Sequence, residues 1–128
     1  MTPEAEKPIN EATVPTVSQR FTKADRLLKP GEFQRVYRRG KQLHSSLFTV
    51  FALRNPLGRT RLGITASRKT SKRAVVRNRC RRLVREAFRC QREQFPAGWD
   101  LVVNVKHPLT KAAYALVESE LARLLKKL

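Results

Sequence analysis

Residues 67–92 read SRKTSKRAVVRNRCRRLVREAFRCQR, and they set eleven Arg or Lys against a single acid, Glu86. From Ala74 to about Gln94 the spacing is helical. Val76, Cys80, Leu83, Val84, Ala87 and Phe88 fall on one arc, and Arg77, Asn78, Arg81, Arg82, Arg85 and Arg89 on the opposite one. A solvated helix face ordinarily mixes signs, because opposite charges one turn apart attract. This face forgoes such pairs and accepts repulsion between its own residues. A merely solubilising surface has no reason to do so, whereas a surface built against phosphates does. The loop just before it holds Arg68, Lys69, Lys72 and Arg73, where free backbone N–H groups and the helix dipole also favour an anion.

Outward from this helix, Pro96-Ala97-Gly98 ends it, and Leu101 to Val105 (LVVNV) has the composition of a buried strand. After Pro108, Thr110 is expected to cap a last helix with the stripe Tyr114, Val117, Leu121, Leu124, Leu125 and Leu128. Upstream, Pro30 suits a helix start, Phe33, Val36 and Tyr37 form a stripe, and Gly40 sits at the C-terminal cap. Leu47 to Leu53 (LFTVFAL) and Arg61 to Ala66 (RLGITA) are strand-like. The turn Asn55-Pro56-Leu57-Gly58 between them predicts an antiparallel pair, and Lys41 to His44 adds a short strand. Helix, two or three strands, helix, strand, helix is an α+β order, with helices packed on a small mixed sheet. Residues 1–20, with Pro3, Pro8 and Pro15 and no periodicity, are expected to form a disordered extension; residues 21–128 are expected to form one domain.

The whole chain has 128 residues, 28 basic and 10 acidic, for a net charge of +18. Residues 1–19 carry three Glu and one Lys, a net of −2, so the remainder carries +20. With 41% hydrophobic residues a core is available, so the chain is not a basic tail alone. No apolar run approaches the roughly 20 residues of a membrane helix, and MTPEAEKPINEA lacks the features of a secretory signal. Cys80 and Cys90 make no disulfide framework, which points to a reducing compartment. Arg outnumbers Lys 18 to 10, a bias suited to forked phosphate contacts and stacking on bases. Nucleic acid is the leading partner. An acidic membrane surface fits less well, since no basic helix presents a broad aromatic face.

Groups able to react are scarce. His44 and His107 are far apart, and neither neighbours a cysteine or carboxylate. The cysteines lack metal-binding spacing, so packing is expected of Cys80. No acidic cluster suits magnesium, and Gly31, Gly40, Gly58, Gly63 and Gly98 are too scattered for a phosphate-cradling loop. Any part in catalysis is therefore expected to leave the reacting groups to a partner. Phe33 and Tyr37 lie four apart, and Phe48 and Phe51 point to opposite faces of their strand. For Phe33, Tyr37 and Phe51, core packing and stacking on unpaired bases both remain open.

The stretch AVVRNRCRRLVREAFR, headed by Arg77-Asn78-Arg79, resembles the signature of the bacterial ribonuclease P protein component family. FQRVYRRGK, LFTVFAL, RLGITASRK and DLVVNVK followed by a helix are similar to that family in the same order, over Leu27 to Leu128. The resemblance implies an αβββαβα sandwich with a left-handed βαβ crossover, an exception to the usual handedness. It implies a cytoplasmic protein, monomeric in a one-to-one ribonucleoprotein with a large catalytic RNA. Together they remove the 5′ leader of precursor tRNA, with magnesium held mainly by the RNA activating water. Carried over by motif, Arg77, Asn78, Arg79, Arg81, Arg82 and Arg85 would contact RNA or support nearby metal. Arg68 and Lys69 would reach leader phosphates, and Phe33, Tyr37 and Phe51 would line a leader cleft between first helix, sheet and long helix. Lys72, Arg73 and Arg89 join the expected RNA contacts by their charge. Cys80 departs from the family's usual Ile or Val, and Ser71 from a frequent Gly. Charge alone would also suit a ribosomal or general RNA-binding module. A helix-turn-helix DNA binder fits poorly, because a strand and a loop precede the long helix.

Overall fold

The computed structural model describes residues 26–27 and 29–128. The extension expected over residues 1–20 and the domain start at Phe21 lie outside the described residues. Four strands, β1 (Lys41–His44), β2 (Phe48–Arg54), β3 (Arg61–Thr65) and β4 (Trp99–Val105), form one sheet in the spatial order β1-β2-β4-β3. β2 is antiparallel to β1 and β4, while β3 runs parallel to β4. The antiparallel pair expected between β2 and β3 does not form, because β4 lies between them. Leu101, Val102, Val103 and Val105 of β4 are all buried, and a strand apolar on both faces finds full cover only inside a sheet. The turn at Gly58, with φ +76°, therefore sends the chain across β4 rather than back along β2. Asn55 N–H donates to the Gly98 carbonyl at 2.8 Å, tying that crossing to the turn before β4.

Three helices cover the sheet: α1 (Pro30–Arg39), α2 (Ala74–Gln91) and α3 (Tyr114–Leu125). α2 links β3 to its parallel neighbour β4, so the βαβ unit is present. The larger core sits on one face, where Val50, Ala52, Leu62, Leu101 and Val103 meet Cys80, Val84, Ala87 and Phe88 of α2 and Val117, Leu121, Leu124 and Leu125 of α3. Cys80 is fully buried, and that burial pushes its thiol pKa up. A smaller core on the other face holds Leu27, Val36 and Val102, with Phe33, Tyr37, Phe51 and Leu53 packed against it.

Local chemistry sets the element ends. α1 begins at Pro30 and stops at Gly40, where an added Cβ would sit 2.4 Å from the Val36 carbonyl oxygen. α2 ends at Gln91 and tightens into a 3-10 turn over Arg92–Gln94. Thr110 does not cap α3. Pro108 opens a separate 3-10 turn over His107–Lys111, where Thr110 Oγ1 donates to the His107 carbonyl at 2.7 Å, and Ala113 precedes α3.

An ionic knot binds α1 to the sheet. Asp100 is fully buried and accepts from Arg61 Nε at 2.9 Å, Arg61 Nη2 at 2.8 Å and Asn55 Nδ2 at 2.8 Å. Arg61 Nη1 donates to Glu32 Oε2 of α1 at 2.8 Å. The hydrogen bond to Asp100, then that to Glu32, raises the Arg61 pKa, so it stays charged despite burial. Breaking one partner of a buried pair strands the other. Asp100→Ala is therefore expected to cost about 3–5 kcal/mol in urea unfolding, whereas a loss near zero would reduce the knot to decoration.

Candidate nucleic-acid interface

α2 turns its apolar arc to the core and its arginines outward, as the spacing predicts. Asn78, Arg79 and Arg82 are exposed; Arg77, Arg81, Arg85 and Arg89 are half-buried along their stems. Several guanidinium groups are aimed by backbone carbonyls, which orient a cation without neutralising it. Arg77 Nη1 donates to the Ser71 and Lys72 carbonyls at 3.0 and 3.1 Å. Arg81 donates to the Ala66 carbonyl at 3.0 Å and to Asn78 Oδ1 at 2.8 Å. Arg79 Nη2 donates to the Thr110 carbonyl. Burial, then the charges of Arg26, Arg81 and Arg82, pulls the Arg85 pKa down, and an arginine still remains ionised.

Arg89 differs from the rest. Its Nε and Nη2 donate to both oxygens of Glu86 at 2.8 Å, which raises the Arg89 pKa and lowers that of Glu86. The single acid of the basic stretch is spent on it, so Arg89 brings little net charge to the face.

The basic loop is staked at Thr70. This residue is buried, and its hydroxyl donates to the Val105 carbonyl at 2.9 Å, while its own carbonyl meets His107 Nδ1 at 2.8 Å. Around that stake Arg68, Lys69, Lys72 and Arg73 are exposed. The first turn of α2 has no acid and no side-chain cap, so its N–H dipoles add to the positive field.

The sheet face beneath α1 is ordered in rows by the strand register. One row joins Leu53, Asp100 and Arg61, and the next joins Gln42, Phe51, Val102 and Gly63. The third joins His44, Thr49, Asn104 and Thr65. Phe33 of α1 lies over Gly63, where an added Cβ would come 2.6 Å from its ring. Tyr37 meets Phe51 edge to face at a centroid distance of 4.9 Å. The three aromatics named from the sequence are thus together, half-buried and packed against the smaller core. Spacing gave no notice of Asn104 and Thr65, whose side chains join Tyr37 on this face. The one available signal was the polar Asn interrupting LVVNV. His44 is exposed on β1.

Among the described residues, no group of three or more His, Cys, Asp or Glu is placed to hold a metal ion, and no helix is long and apolar enough to cross a membrane. A helix face of many arginines with a single acid, together with a half-exposed aromatic cluster on the sheet's other face, fits an RNA-binding α+β protein.

Known proteins give the family. Residues 21–128 match ribonuclease P. The ribonuclease P protein component of Desulfosudis oleivorans is 44% identical over 107 residues, 84% of this chain and 88% of that one. The same component from Nitrosococcus oceani is 48% identical over 86 residues, 67% and 71% of the two chains. The solved RNase P protein of Thermotoga maritima has a TM-score of 0.74 at 33% identity, covering 80% of this chain and 96% of its own. That of Staphylococcus aureus has a TM-score of 0.74 at 31% identity, covering 82% and 95%. The chain belongs to the ribonuclease P protein family. It is an RNA-binding subunit of the endoribonuclease that processes tRNA 5′ ends, a ribonucleoprotein whose RNA carries the catalysis. Ribonucleases of this kind need divalent metal ions, and the described residues offer no protein-only site for one.

Two substitutions separate free from neutralised arginines. Arg82→Ala is expected to lower the slope of log affinity against log salt by about 1. Glu86→Gln is expected to release Arg89 and steepen that slope, as read by RNA binding across a salt series; identical slopes for both variants would contradict this division.

Proposed function

We propose that the open face beneath α1 receives the single-stranded 5′ leader of precursor tRNA, while the α2 face grips the catalytic RNA. The observation that carries this reading is the half-exposed trio Phe33, Tyr37 and Phe51, flanked at the end of β3 by the staked basic loop. Unpaired bases stack on such aromatics, and Arg68 and Lys69 then meet the leader phosphates. Arg77, Asn78, Arg79, Arg81, Arg82 and Arg85 contact the catalytic RNA, with Lys72 and Arg73 beside them. Arg89 contributes through its stem more than its charge.

The protein's work is electrostatic and positional. Its guanidinium groups relieve phosphate repulsion where substrate and catalytic RNA converge, and its aromatics fix the leader's path. Magnesium, held mainly by the RNA, activates the attacking water. The particle contains one protein per RNA and works in the cytoplasm.

Reconstitution with a bacterial ribonuclease P RNA tests this. The protein is expected to lower the magnesium requirement and to favour leader-bearing over mature tRNA. Equal affinity for both, or association with ribosomal RNA and no help to tRNA maturation, would refute it. Phe51→Ala is expected to weaken leader binding by about 1–3 kcal/mol; unchanged affinity would return Phe51 to the core alone.

A further inference from the structure

His107 stands where the basic loop, α2 and the turn after β4 meet. Its Nδ1 lies 2.8 Å from the Thr70 carbonyl oxygen. A carbonyl oxygen only accepts, so Nδ1 carries the hydrogen, and in the neutral ring the lone pair is left on Nε2. The residue is exposed, and Nε2 makes no hydrogen bond among the described residues. Thr70 is fixed in turn: its hydroxyl donates to the Val105 carbonyl at 2.9 Å, and its N–H to the Ser67 carbonyl at 2.9 Å. On the other side, Thr110 Oγ1 donates to the His107 carbonyl at 2.7 Å, and Arg79 of α2 donates to the Thr110 carbonyl. The ring is therefore held in one tautomer, on a turn tied to both the basic loop and α2, with its second nitrogen free.

The segments that meet there, residues 67–85 and 106–113, contain no acid. The charged groups they bring around His107 are Arg68, Lys69, Lys72 and Arg73 of the loop, Arg77 and Arg79 of α2, and Lys106 and Lys111 of its own turn. Lys106 Nζ donates to the Ser45 carbonyl at 2.8 Å, and Glu120 of α3, beyond it, is taken up by the Ser45 hydroxyl and Arg123. A phosphate laid on this surface supplies the counter-charge that these segments lack. We propose that His107 is a phosphate contact of the RNA surface, made when its imidazole is protonated, so that RNA binding takes up one proton from solvent. Protonation leaves the bond to Thr70 intact. It turns Nε2 from an acceptor, which a phosphate oxygen opposes, into a charged donor, which that oxygen matches. The inference rests on the reading that α2 and its loop grip the catalytic RNA.

The test measures binding of the full chain to a bacterial ribonuclease P RNA across a salt series, at about pH 8 and about pH 5.5, the interval in which imidazole changes charge. From the higher pH to the lower, affinity at fixed salt is expected to rise about 3- to 10-fold, the range of one hydrogen bond. The slope of log affinity against log salt is expected to steepen by about 1. His107→Asn keeps a donor for the Thr70 carbonyl and does not titrate, so it is expected to bind alike at both pH values. His107→Lys carries its charge throughout and is expected to hold the steeper slope at both. His44→Gln removes the other histidine and is expected to leave the native pH dependence in place. A pH dependence that survives His107→Asn, or one lost in His44→Gln, would overturn the assignment. If native binding weakens with salt but ignores pH, only the role of His107 fails. If it does not weaken with salt, the reading of α2 fails and takes this inference with it.

Discussion

α2 must satisfy two demands that pull against each other. One side has to bury Cys80, Val84, Ala87 and Phe88 in the main core, and the other has to hold a row of guanidinium groups with almost no acid nearby. Like charges on neighbouring turns repel, so the helix keeps its place through packing rather than through its own surface. Carbonyl groups from the basic loop, from Ala66 and from Thr110 resolve the conflict at low electrostatic cost. They give Arg77, Arg79 and Arg81 a direction and leave their charge for a polyanion. Aimed cations lose less freedom when they bind, which favours affinity without further contact area.

The sheet makes a second contribution by serving two masters. Its α2 and α3 side is sealed, whereas its α1 side is only partly roofed, because α1 is ten residues long. The knot of Asp100, Arg61 and Glu32 fixes one end of that helix, and the contact of Phe33 with Gly63 seats it flat on β3. The aromatics are then packed against the smaller core and still partly exposed. Under the proposed function, core and binding surface are the same residues, each aromatic packing with one part of its ring and stacking with another.

Much of this was legible in the chain. The arcs of α2, the stripe of α1 and the apolar run of β4 follow from periodicity, and the arginine face follows from charge bias. Strand order did not follow. A turn between two strand-like runs suggests a hairpin, and only the two-sided burial of β4 places that strand between them. Thr110 has the right chemistry for a cap, but Pro108 starts a different turn two residues earlier. The neutralised state of Arg89 was readable from Glu86 three residues before it. The hydrogen bonds of Asn104 were not readable, because Tyr37 and Thr65 lie far off in sequence and meet it only in the folded sheet.

The central claim is that the folded protein carries uncompensated like charge held for a polyanion. Its most direct measure is the melting temperature of the RNA-free protein as sodium chloride rises from about 0.01 M to about 1 M, which shortens the screening length from about 30 Å to about 3 Å. The account predicts a clear rise, because screening relieves repulsion across α2 and its loop. A melting temperature that falls with salt would mean that internal ion pairs, not unmatched arginines, dominate the surface, and would contradict it.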